Sequence, residues 1–175
     1  MRRGKLVGIL GLALALALVG IAANAADAPQ VAKAYMTGDQ GVPPVDTMAL
    51  GYVILTQSAD LNSWHYKVIV ANLSDITAAH IHAGKMGEEG PPVVNLFTGP
   101  VKSGRFDGVL AEGDFDATAF MGPLQGKDMT EFMTQLHAHA LYVNVHTLAH
   151  PEGEIRGQLM LVRQPRPAPA AAPAG

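Results

Sequence analysis

TMALGYVILTQSADLNSWHYKVIV, residues 47–70, decides the fold class. In its first ten residues Leu50, Tyr52 and Ile54 share one face of an extended chain, and Ala49, Val53 and Leu55 share the other. Residues 64–70 repeat the alternation, with Trp64, Tyr66, Val68 and Val70 on one side and His65 and Lys67 on a solvated side. Asp60 and Asn62 between the runs are turn formers. Two half-buried strands joined by turn chemistry are the unit of an all-β domain. The pattern continues in both directions. Residues 31–36 read as a first strand and 37–45 as a loop, because Gly38, Gly41, Pro43 and Pro44 fall there. Downstream, 78–82, 92–97, 105–112, 141–146 and 154–162 read as strands, the last two joined by a turn around Pro151, Glu152 and Gly153. The run at 92–97 opens with a proline, which suits a strand start or an edge. Residues 128–136 differ: Met129, Phe132, Met133 and Leu136 recur at helical spacing, and Asp128 with Glu131 resembles a capping box. The expectation is a Greek-key β-sandwich or flattened barrel with one short helix before the last two strands.

The ends are different in kind. Arg2, Arg3 and Lys5 precede an apolar run from Leu6 to about Ala23, followed by Ala23-Asn24-Ala25. A basic start, an apolar centre and a small-x-small site predict a secretory signal peptide over 1–25. The run is also about long enough to span a bilayer, so an uncleaved anchor is the competing outcome. The chain has no cysteine, which excludes a lipoprotein anchor, a disulfide framework and thiolate metal sites. Residues 164–175 are Pro/Ala-rich, hold no large apolar side chain, and predict a disordered tail. That leaves 26–163 as one folded unit. Three basic residues and no acidic one leave with the signal, so the net charge of −3 falls to −6. Such a surface excludes nucleic acid as an expected partner and is compatible with attracting cations. The expected location is the periplasm or the exterior, with no membrane contact after cleavage.

The chemistry sits on histidines. If Ile81 enters the core, His80 and His82 project together from the opposite face of their strand. If Val143 and Val145 enter the core, Tyr142, Asn144 and His146 share the outward face of theirs. Strands lying side by side, or meeting at a barrel corner, would bring His80, His82 and His146 together. Three neutral imidazoles suit copper, zinc or nickel, and copper(II) binds most tightly of these. The competing reading is that all three hydrogen-bond to backbone and pin loops. His150 is a candidate fourth ligand or a turn residue ahead of Pro151. Asn144 could orient a ligand histidine or satisfy a neighbouring loop. Arg156 has a cross-strand acid, such as Glu154, as its simplest partner. His137 and His139 suit the helix C-terminus, and His65 suits solvent. Gly84, Gly87 and Gly90 serve a tight loop with positive φ. No nucleophile–base arrangement or carboxylate pair stands out, so a hydrolase is not expected.

Three stretches carry a family resemblance: Gly41-Val42-Pro43-Pro44-Val45; Ala78-Ala79-His80-Ile81-His82-Ala83-Gly84 continuing through Gly87 and Gly90 to Val94; and Tyr142-Val143-Asn144-Val145-His146-Thr147 with His150 to Leu159. Together they resemble the CHRD (chordin-type) domain across nearly the whole mature chain, with Gly41 in place of a usual acid. The resemblance implies an extracytoplasmic β-sandwich or barrel, immunoglobulin-like or superoxide-dismutase-like, and little about activity. Shorter pieces are similar to copper-site motifs of Cu/Zn superoxide dismutases: His80-Ile81-His82-Ala83-Gly84, Val143-Asn144-Val145-His146, and Gly153-Glu154-Ile155-Arg156. That similarity implies that Arg156 guides an anion to the metal. The chain departs from the pattern in having no histidine over 85–95 and no cysteine, which removes the zinc loop and the disulfide.

The expected function is an exported metal-binding domain, copper favoured over zinc, with ligands His80, His82 and His146 and with Asn144, His150 and Arg156 around them. An enzyme is not the leading expectation. The alternative is a structural or adhesive module that meets an extracellular protein or glycan without metal. A copper-only dismutase ranks third.

Overall fold

The computed structural model describes residues 29–162. The expected signal peptide and the Pro/Ala-rich tail lie outside the described residues. Seven strands and one helix follow in order: β1 (Val31–Thr37), β2 (Leu50–Gln57), β3 (Ser63–Ala83), β4 (Pro92–Asp116), α1 (Met129–His137), β5 (Leu141–Thr147), β6 (Ile155–Gln158) and β7 (Met160–Leu161). The strands lie in the order β2-β1-β6-β5-β3-β4, and β2 also pairs with β3. The ring β2-β1-β6-β5-β3 therefore closes into a five-stranded barrel, with β4 attached outside it and β7 on β1. The expected all-β flattened barrel with one short helix is the observed fold.

Closure depends on β3. Its first part, Trp64 to Ala71, runs along β2, and its second, Ile76 to Ala83, runs along β5. Between them the register to β4 shifts twice, and Asn72 and Asp75 adopt positive φ of 60° and 52°. These bulges bend the strand, so that one element turns a barrel corner and changes partner. The sequence reading placed two strands here, at 64–70 and 78–82. The polar interval that divided them is the bend of a single strand. In the same way, the expected strands 92–97 and 105–112 are parts of β4, which pairs with β3 nearly throughout. The expected final strand divides at Leu159 into β6, paired with β5, and β7, paired with β1.

Alternation decides what fills the barrel. Ala49, Val53 and Leu55 of the β2 region are buried, as are Trp64, Val68 and Val70 of β3. Ile81, Val143 and Val145 are also fully buried, which fixes the parity at the later strands. Helix α1 places Met129, Phe132 and Leu136 in the core. Phe132 meets Trp64, Phe115 and Phe120 at ring separations of 6.0, 5.5 and 5.7 Å. Asp128 caps the helix by accepting a hydrogen bond from the Glu131 N–H at 3.1 Å. No helix among the described residues is long and apolar enough to cross a membrane.

Candidate metal centre

With Ile81, Val143 and Val145 inside, the alternate residues of β3 and β5 share the other face of the sheet. The register pairs His82 with Tyr142, His80 with Asn144 and Ala78 with His146. His80 and His146 are thus diagonal neighbours, and Ala78 leaves the His146 ring room. The ring centres of His80, His82 and His146 lie 5.0 to 5.7 Å apart. One nitrogen from each lies within 4.8 Å of the other two. The three predicted ligands are brought together.

Backbone carbonyls set the orientation of two rings. The Nδ1–H of His82 donates to the Gly90 carbonyl at 2.8 Å, and that of His146 donates to the Pro151 carbonyl at 2.8 Å. A neutral imidazole with Nδ1 as donor has its lone pair on Nε2. His82 Nε2 is buried with no hydrogen-bond partner. His146 Nε2 faces His80 Nδ1 at 3.2 Å, so in the metal-free state His80 Nδ1–H is the donor of that pair. Two imidazole nitrogens bound to one ion at about 2.0–2.1 Å stand roughly 3.3 Å apart at a tetrahedral angle, close to this separation. The residues present fit a metal ion: three neutral donors, one of them buried and unpartnered.

Neutrality comes from burial. Burial, then the nearby His146 and His82, pushes His80 down to about 4. His82 is pushed down by burial first, opposed by its bond to Gly90. His146 is also pushed down by burial, opposed by its bond to Pro151 and the nearby Glu152. At neutral pH all three rings can offer lone pairs, which metal binding requires.

Two loops hold the accepting carbonyls. Gly90 packs so closely that a Cβ there would lie 1.7 Å from the Ala83 carbonyl oxygen. Gly84 and Gly87 have positive φ, as expected, whereas Gly90 is required by close approach. Tyr142 OH bridges this loop, accepting from Gly90 N–H and donating to Gly90 O, each at 3.2 Å. The Tyr142 ring stacks on His82 with centroids 5.0 Å apart. In the second loop, Glu154 accepts hydrogen bonds from the Thr47 and Thr147 hydroxyls, both at 2.8 Å. Asn144 Nδ2 donates to the Glu152 carbonyl at 2.9 Å. Asn144 thus satisfies a loop and contacts no ligand ring by hydrogen bond.

The remaining predicted residues divide. His150 lines the neighbouring cavity, but its backbone holds the turn, donating to Thr147 Oγ1 and accepting from Gly153 N–H. It is not part of the three-imidazole cluster. Arg156 makes no ion pair among the described residues, contrary to the cross-strand expectation, and the acids near enough to favour its charge are Glu89 and Glu88 of the neighbouring loop. Glu154 turns to the threonines, and the Arg156 guanidinium lies 3.6 Å over the Tyr142 ring and donates to the Lys85 carbonyl at 2.8 Å. His65 is exposed as expected, but it bonds Asp114 and Glu112 on β4 at 3.0 and 3.2 Å, and these raise its pKa. Sequence reasoning missed the stacking of Tyr142. Alternation placed it on the correct face, and only the register shows that it sits opposite His82.

Beside the imidazoles is a cavity of about 570 Å³, walled by Gly41 to Pro43, by His82, Gly90, Tyr142, Asn144 and His146, and by residues 149–153 and Arg156. The three stretches singled out in the sequence meet here. The CHRD domain family model matches residues 32–159. No curated protein and no solved structure matches the chain.

Proposed function

We propose that this chain, which belongs to the CHRD domain family, is an exported metal-binding domain that holds copper through His80, His82 and His146. The observation that carries the reading is the convergence of three imidazole nitrogens within 4.8 Å on a preset framework. Carbonyls fix the tautomers of His82 and His146, so both Nε2 atoms carry lone pairs, that of His146 accepting from His80 Nδ1–H until an ion takes the place of that bond. The ligands are bordeline-soft nitrogens with no carboxylate among them, a set that favours copper over harder cations, and over zinc by intrinsic affinity. Export rests on the signal-like start of the sequence, and a periplasmic or secreted protein would meet such metals. A bound copper would supply a Lewis acid with an open position for exchangeable ligands. The chain's own residues orient the rings, keep them neutral and cover His82 with the Tyr142 ring. We read the role as holding or passing on the metal, without assigning an enzyme activity.

The test is copper titration of the mature domain by calorimetry, with His80→Ala and His82→Ala as comparisons. One equivalent bound tightly by the parent chain, and lost in both variants, is expected. Equal binding by parent and variants would sink the reading.

A second reading, a binding module for an extracellular protein or glycan, draws on a different face. Tyr35, Tyr52, Ile69 and Val109 stand in one register row across β1, β2, β3 and β4, with Tyr35 59% and Val109 46% exposed. This row contains no histidine, and failure of the copper titration would make the binding-module reading the leading one.

A further inference from the structure

The loop at 84–90, between β3 and β4, is exposed along residues 85–89 and tied at both ends to β5 and β6. Gln158 Nε2 donates to the Gly84 carbonyl at 3.0 Å, and the Arg156 guanidinium donates to the Lys85 carbonyl at 2.8 Å. At the other end the Tyr142 hydroxyl accepts from Gly90 N–H and donates to Gly90 O. What these ties fix is the Gly90 carbonyl. It accepts from both the Tyr142 hydroxyl and His82 Nδ1–H, so one oxygen joins the loop to a candidate metal ligand.

The Tyr142 ring removes a second freedom. Donation from Nδ1 settles which nitrogen of His82 carries the proton, but it leaves the ring free to tilt about that bond. Tyr142 opposes the tilt, with its plane 18° from that of His82 and the centres 5.0 Å apart. Tyr142 is itself backed on its other side. Strands β3 and β6 flank β5, so His82 and Arg156 reach Tyr142 from opposite neighbours. The Arg156 guanidinium carbon lies 3.6 Å from the ring centre, and the residue is 4% exposed. Its flat face meets the ring while one of its N–H groups meets the Lys85 carbonyl. Only a planar cation does both. A lysine ammonium keeps the charge and loses the stacking.

We propose that Arg156 and Tyr142 are positioning residues for His82. Arg156 holds the Tyr142 ring and the base of the loop. Tyr142 holds the plane of His82 and the carbonyl that keeps its proton on Nδ1. The unpartnered Nε2 of His82 is thereby presented with its lone pair already aimed. This role replaces the anion guide that similarity to dismutase copper sites implies for Arg156. The consequence for an ion rests on the metal reading; the ordering of His82 does not. Contacts that orient a ligand histidine change metal affinity by about 10–100-fold.

The test follows the His82 Nδ1 proton by NMR in the isotope-labelled, metal-free chain and measures copper affinity in the same variants. Tyr142→Phe keeps the stacked ring and removes the hydroxyl's bonds to the loop. Arg156→Lys keeps the charge and removes the flat contact. In both, exchange of the His82 Nδ1 proton with solvent should quicken at least about fivefold, as the loss of one or two hydrogen bonds implies. Copper affinity should fall by about 10–100-fold. An arginine that only steered anions by its charge would be replaced by lysine with both quantities unchanged. Tyr142→Phe removes a single oxygen, so the proposal remains testable if Arg156→Lys does not fold. In a chain that binds copper, unchanged proton exchange or unchanged copper affinity in Tyr142→Phe, or in a folded Arg156→Lys, would overturn the proposal. Faster exchange in the variants of a chain that binds no copper would overturn the metal reading and leave the ordering of His82 standing.

Discussion

Gly153 has a φ of +121°, and a Cβ placed on it would lie 2.1 Å from the Asn144 amide nitrogen. Gly153→Ala must therefore strain the turn and displace Asn144 together, at a cost of about 2–4 kcal/mol. Urea unfolding should show that loss, and copper affinity should fall with it, because the same turn supplies the carbonyl that orients His146. His80 carries the second prediction. Its folded pKa of about 4 lies below the ordinary 6.5, so between those values the unfolded chain binds the extra proton. Stability of the metal-free chain should be fully present above about pH 6.5 and decline as pH falls toward 4. The linkage limit is about 3 kcal/mol, and about half of it is expected for a half-buried ring reached by solvent. His80→Gln should flatten the decline measured by urea unfolding at pH 7 and pH 4.5. The parity that makes these residues neighbours was legible in the sequence: Ile81, Val143 and Val145 are apolar at alternate positions, and their burial turns His80, His82, Asn144 and His146 the other way. The partner of Arg156 was not legible. Charge alone favours Glu154, but two threonine hydroxyls from elsewhere in the chain occupy that carboxylate.

β3 shows what alternation conveys about elements and what it hides. The period-two pattern identifies residues 64–70 and 78–82 as extended, and both are. It breaks at Asn72 and Asp75, which look like turn residues because they adopt the positive φ that turns also use. A bulge and a turn share that local chemistry, and only pairing with β2 and then β5 distinguishes them. Helix α1 was read more completely, because its cap and its apolar face are both local. Asp128 accepts from Glu131 N–H as the capping pattern implies, although the Glu131 side chain accepts from Gln135 instead of closing the box. Asp128→Ala should cost about 1 kcal/mol. Phe132→Ala, which empties the contact point of three aromatic rings, should cost about 3–5 kcal/mol. The pair of thermal unfolding measurements separates a frayed cap from a cavity in the core.

At the scale of the whole molecule, the barrel and the histidine cluster depend on each other. β3 contributes both the seam that closes the ring and two of the three imidazoles, while β5 contributes the third and the core residues Val143 and Val145. An unfolded chain keeps the histidines but not their convergence, so an ion should bind the folded state far more tightly. Binding to the folded state alone stabilises by about 2.7 kcal/mol at a hundredfold excess over Kd. For a domain of this size that is a rise in Tm of roughly 8–12 °C. Copper should therefore raise the Tm of the parent chain by that amount, saturating near one equivalent. His82→Ala also removes the bond to Gly90 and the ring stacked on Tyr142, so its metal-free Tm should fall, and the copper effect is read as the further shift on adding copper, which this variant should lack. If copper raised the Tm of His82→Ala as much as that of the parent, the ion would be binding elsewhere, and the convergence of the three rings would be a loop-pinning arrangement.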